Sequence, residues 1–85
     1  MNLEEYGRAE RVIKEAIKER PGEIQLYVAY GELYDKQNMS DKAKKQYKKA
    51  IDKLEPNRGS VLKLGNAFLN AQLYELALEV YKKGS

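Results

Sequence analysis

The 85-residue sequence contains neither cysteine nor histidine. The first absence removes disulfides and thiolate nucleophiles; the second removes imidazole acid–base catalysis. Together they exclude nearly every zinc or haem site. No apolar run approaches the ~20 residues that cross a bilayer. Residues 1–5 include two glutamates and are followed by no apolar stretch, so a secretory signal is not expected and a cytoplasmic location is. Neither sign of charge dominates: 16 Lys and Arg against 13 Asp and Glu leave a net charge of +3, and the two signs are interleaved. Composition thus makes no case for a nucleic-acid or membrane partner. No cofactor is expected, and no glycine-rich phosphate loop occurs.

What the sequence does contain is helix-forming residues in amphipathic order. Leu3, Tyr6, Ala9, Val12, Ile13, Ala16 and Ile17 recur at three-to-four spacing, and Pro21-Gly22 ends the run. Asn2 with Glu5 reads as a capping box at its start. A second stretch carries Leu26, Tyr27, Tyr30, Leu33 and Tyr34 and should stop near Asn38, which tolerates the left-handed conformation. Ser40 is expected to cap a third, through Ala43, Tyr47, Ala50, Ile51 and Leu54, before Pro56 and Gly59 interrupt. Val61, Leu62, Leu64, Phe68 and Leu69 mark a fourth, and Leu76, Ala77, Val80 and Tyr81 a fifth. The expected helices are 3–19, 24–37, 41–54, 58–71 and 74–83, with no segment of strand period.

The chain also repeats itself. Gly31 and Gly65 stand 34 residues apart, as do Ala43 and Ala77, Tyr47 and Tyr81, and the aromatic pair Tyr34 and Phe68. A backward shift of 34 places Ala43 on Ala9, Tyr47 on Ile13 and Ala50 on Ala16. A fixed period of this size marks a solenoid.

These residues resemble the tetratricopeptide repeat, a 34-residue helix–turn–helix unit. The middle copy reads Tyr27-x-x-Tyr30-Gly31-x-x-Tyr34, then Ala43-x-x-x-Tyr47-x-x-Ala50 and Pro56; Tyr27 stands where Trp is commoner. The last copy reads Val61-x-x-Leu64-Gly65-x-x-Phe68, then Tyr74-x-x-Ala77-x-x-x-Tyr81, with Gly84 at a site usually held by Ala. The first supplies only Ala9, Ile13, Ala16 and Pro21. The resemblance implies an all-α fold of antiparallel helix pairs in a right-handed superhelix. It divides one domain, 1–85, into the second helix of a repeat (1–22) and two full repeats (23–57 and 58–85). Close helix packing is expected to set Gly31 against Ala43-type positions.

The family also implies a function: a non-enzymatic scaffold that holds a protein or peptide in a groove lined by the first helix of each pair. The register places Gln25, Val28, Ala29, Glu32, Asp35 and Lys36 there from the middle copy, and Leu62, Lys63, Asn66, Leu69 and Asn70 from the last. Apolar side chains would grip a peptide's side chains while Asn66 and Asn70 bond its backbone. Only Lys63 and Asn66 fit the clamp with which some relatives hold a C-terminal carboxylate, so that specificity is not carried over.

Other readings compete for the same residues. The tyrosines invite base stacking, yet Tyr30, Tyr34, Tyr47 and Tyr81 fall at packing sites. Lys42, Lys44, Lys45, Lys48 and Lys49 could grip phosphates, making a nucleic-acid-binding repeat the alternative function; diluted by Asp41 and Asp52, they read as a solvated face. Glu32 and Asp35 lack any partner group for acid–base hydrolysis. Finally, Leu3, Tyr6, Val12, Ile13 and Ile17 at one end, and Leu73, Leu76, Val80 and Tyr81 at the other, exceed what one buried side uses. Self-association through these ends is expected.

Overall fold

The computed structural model describes residues 3–55 and 57–84. Its described residues form five α-helices and no strand: α1 (Leu3–Glu19), α2 (Ile24–Lys36), α3 (Ser40–Asp52), α4 (Arg58–Asn70) and α5 (Tyr74–Lys83). The expected boundaries hold to within two residues. Asn2 of the expected capping box, and Pro56, lie outside the described residues. The chain divides into two compact units, Met1–Ala50 and Ile51–Ser85.

Helix ends follow from local chemistry. Glu4 and Glu5 in the first turn of α1 and Lys18 in its last complement the helix dipole. After α2, Asn38 takes φ 61°. Its N–H donates to the Asp35 carbonyl at 3.0 Å and that of Met39 to Tyr34, also at 3.0 Å. This is a Schellman ending, which satisfies carbonyls that the helix leaves bare. The device recurs 34 residues on, at Gln72 with φ 62°. There the N–H groups of Gln72 and Leu73 donate to Leu69 and Phe68 at 3.0 and 2.8 Å. Sequence reasoning missed this second ending, because Gln carries no left-handed preference.

Ser40 does not cap α3 as expected; it is the first helical residue, and the carbonyl of Met39 before it accepts from the Ala43 N–H at 3.0 Å. The Schellman turn consumes the connecting residues and starts the helix one position early. Asn57, unnoticed in the sequence, caps α4: its side-chain oxygen accepts from the Ser60 N–H at 2.8 Å.

In the first unit Tyr27, Tyr30, Leu33, Ala43, Tyr47 and Ala50 are buried; in the second, Ile51, Leu54, Val61, Leu64, Phe68, Leu76, Ala77 and Val80. The close contact at Gly31 is made, and the nearest atoms belong to Tyr47, one turn beyond Ala43 on α3. A Cβ on Gly31 would stand 2.7 Å from Cδ1 and 2.8 Å from Cζ of Tyr47. The absent side chain therefore makes room for an aromatic ring, which needs more space than a methyl group. In the second unit a Cβ on Gly65 would meet Tyr81 Cζ at 2.6 Å, and one on Gly84 would meet the Val61 methyls.

The expected open ends need correction at α5. Leu76 and Val80 are buried and Leu73 and Tyr81 half-buried, because this face packs within the second unit. Its exposed apolar residues are Tyr74 and Leu78, at 60% and 58%. On α1, Leu3 and Val12 are exposed at 83% and 66%, whereas Tyr6, Ile13 and Ile17 are half-buried.

Candidate protein-interaction surface

α2 is held on two sides, and this determines which face it can offer. On one side, the Tyr30 hydroxyl donates to Glu10 Oε2 of α1 at 2.8 Å. The Tyr34 hydroxyl lies 3.0 Å from both that oxygen and the Tyr30 oxygen. One carboxylate therefore gathers two phenols one helical turn apart. Their rings stack, with centroids 4.8 Å apart and planes at 17°. Hydrogen bonding to Tyr30, reinforced by Tyr34 and by the charges of Lys14 and Lys42, holds the Glu10 carboxyl below its usual range despite partial desolvation. Burial, then hydrogen bonds to Tyr34 and Glu10, push the Tyr30 phenol well above its ordinary value. Lys42 of α3 stands 5.8 Å from the centre of the Tyr34 ring, within cation–π reach.

On the other side, Gly31 admits the Tyr47 ring of α3. The Tyr47 hydroxyl donates to Asp35 Oδ2 at 2.8 Å. Burial first, then the Asp35 hydrogen bond and the charges of Asp35 and Glu32, raise the Tyr47 phenol. At the start of α2, the Tyr27 hydroxyl donates to the Pro21 carbonyl at 2.9 Å. Tyr6 completes the α1 side by donating to the Lys36 carbonyl at 3.3 Å.

Of the residues expected to line a groove, Asp35 is the one that also receives the Tyr47 hydroxyl. Gln25, Glu32, Asp35 and Lys36 are exposed and Val28 and Ala29 half-buried. Val28, Glu32 and Asp35 lie at i, i+4 and i+7, so they form one stripe. In the second unit, Leu62, Lys63, Asn66, Leu69 and Asn70 are all exposed. Leu62, Asn66 and Leu69 occupy the same register on α4. Leu62 and Leu69 are 46% and 39% exposed, large apolar side chains that the unit leaves in water. α4 is held in turn by Gly65 against Tyr81 of α5, and Lys83 of α5 ties that helix to the end of α3, its Nζ donating to the Ile51 and Asp52 carbonyls.

Residues 24–52, α2 and α3 with the turn between them, match the family model described as the tetratricopeptide repeat. The chain carries a tetratricopeptide repeat. No curated protein matches it. Such repeats generally mediate protein–protein interaction and are generally non-catalytic. Within the repeat, Tyr30, Gly31, Tyr34, Ala43, Tyr47 and Ala50 are packing residues, as their burial and contacts show; Tyr34 remains half-buried with its hydroxyl on Glu10. Glu10, which organises two of these tyrosines, precedes the matched segment and was missed in the sequence. Its register partners 34 and 68 residues on are Lys44 and Leu78, so no repeated signal points to it. Among the described residues no helix is long and apolar enough to cross a membrane.

Proposed function

We propose that this chain is a scaffold module that binds a protein or peptide through the exposed stripes of α2 and α4, without cofactor or turnover. In this reading residues 1–22 are the second helix of one repeat, and 23–57 and 58–85 are two further repeats of a cytoplasmic protein. The observation that carries it is the exposure of Leu62 and Leu69, one turn either side of Asn66. Leucines kept in water on a helix whose other side is buried supply apolar contact at no cost to the fold, and the amide supplies a backbone hydrogen bond. The α2 stripe carries carboxylates at Glu32 and Asp35, which favour a partner with basic side chains.

Quantitative pull-down compares the wild type with a Leu62→Glu, Leu69→Glu variant. A partner retained by the wild type and lost by the folded variant supports the stripe; equal retention overturns it. Self-association is the second element of this reading, carried by Leu3 and Val12 on α1 and by Tyr74 and Leu78 on α5. Light scattering over a concentration series should show a rising mass, and a constant monomer mass at high micromolar concentration would refute it.

A further inference from the structure

Helix α3 contains five lysines and two aspartates, a sum of +3 that equals the net charge of the whole chain, so the remaining residues sum to zero. All five lysines are exposed, and Lys44, Lys45, Lys48 and Lys49 form one stripe. They lie three and four residues apart, where side chains on a helix are neighbours and like charges repel. Among the described residues none of the four forms an ion pair. Lys42 differs, with its ammonium over the Tyr34 ring. The same register positions hold Glu10, Arg11, Lys14 and Glu15 on α1, and Leu78, Glu79, Lys82 and Lys83 on α5. Only α3 carries basic residues at all four, so the repeat itself does not require them.

We propose that this face of α3 docks a short acidic segment of a partner protein. The four ammonium groups extend over about 7.5 Å of helix axis, five residue steps. Asp41 and Asp52 bound the stripe one turn before Lys45 and one turn after Lys48. A phosphate backbone running along the helix would meet a carboxylate at each end, whereas two or three carboxylates from one to two turns of a partner fit between them. Nothing on the face stacks on bases, since Tyr47 is 2% exposed. It also has no exposed apolar residue to enter a bilayer. The remaining complement is a compact acidic protein segment, attracted electrostatically and relieving the lysines' mutual repulsion. This surface shares no residue with the α2 and α4 stripes.

The test is fluorescence anisotropy of a labelled Ala/Glu helical peptide with glutamates four residues apart, titrated with the full chain at moderate salt. Expected is binding that weakens about tenfold or more in K44E/K45E/K48E/K49E, or in the corresponding four Lys→Gln changes should the first variant lose its helical circular dichroism. The Leu62→Glu, Leu69→Glu variant should bind the peptide as the wild type does. A peptide with its glutamates dispersed around the helix should bind more weakly than the spaced one. Affinity unchanged by loss of the four lysines overturns the proposal, as does the absence of binding by the wild type. Duplex DNA bound more tightly than the peptide, and lost with the same four lysines, overturns it in favour of a phosphate-binding face.

Discussion

The ring of Tyr47 occupies the space that a side chain on Gly31 would fill, and 34 residues later the ring of Tyr81 does the same at Gly65. Tyr47 cannot easily yield, being 2% exposed and tied through its hydroxyl to Asp35. Gly31→Ala should therefore cost about 1–3 kcal/mol from overpacking, partly offset by the ~1 kcal/mol that alanine gains over glycine in a helix. Gly31→Leu should cost more. Gly7 in α1 is the control, because a Cβ there meets nothing within 4 Å; Gly7→Ala should stabilise. Urea midpoints compare the three, and a Gly31→Leu variant as stable as the wild type would refute the packing.

Gln72 holds a left-handed backbone, φ 62°, without the side chain suited to it. Gln72→Gly should raise stability by about 1 kcal/mol through removal of that strain. Asn38→Gly at the equivalent turn should gain less, since Asn already tolerates φ 61°. Thermal melts decide; a loss at Gln72→Gly would show that the glutamine side chain makes a compensating contact.

Glu10 links stability to acid. Its carboxyl lies below the usual value in the folded chain, so its contribution is complete above the unfolded value near 4.5 and disappears as pH falls through the lowered one. Glu10→Gln should be less stable at neutral pH and lose less on acidification. The raised phenols of Tyr30 and Tyr47 act at the other end: their contribution is complete below the ordinary tyrosine value of about 10 and is lost as pH rises above it. Ultraviolet titration should find these two ionising only as the chain unfolds.

Asn57→Ala removes the side-chain acceptor for the Ser60 N–H and should cost about 1 kcal/mol, with Asn57→Ser nearly restoring it. Equal midpoints for all three would show that water replaces the cap.

Helix positions were legible because the information is local: apolar residues at three-to-four spacing and breakers at Pro21-Gly22, with a 34-residue echo beside them. The exposure of Glu32 and Asp35 on α2 was legible for a related reason, because Tyr27, Tyr30 and Gly31 take the inward positions; the tie from Asp35 to Tyr47 was not.

What only the tertiary structure decided is which groups meet. Ala43 and Tyr47 lie on the same side of α3, and their spacing alone does not say which comes nearest to Gly31; in the fold the Tyr47 ring does. Glu10 reaches Tyr30 and Tyr34 across 20 and 24 residues, and Lys83 reaches the Ile51 carbonyl across 32, through contacts that no periodicity encodes. The burial of Leu76 and Val80 was likewise settled by packing within the second unit. The sequence by itself determined the helices, since these depend on side-chain order along one chain. The structure decided the polar ties, because a hydrogen bond depends on distances of a few tenths of an ångström between helices that sequence spacing does not specify.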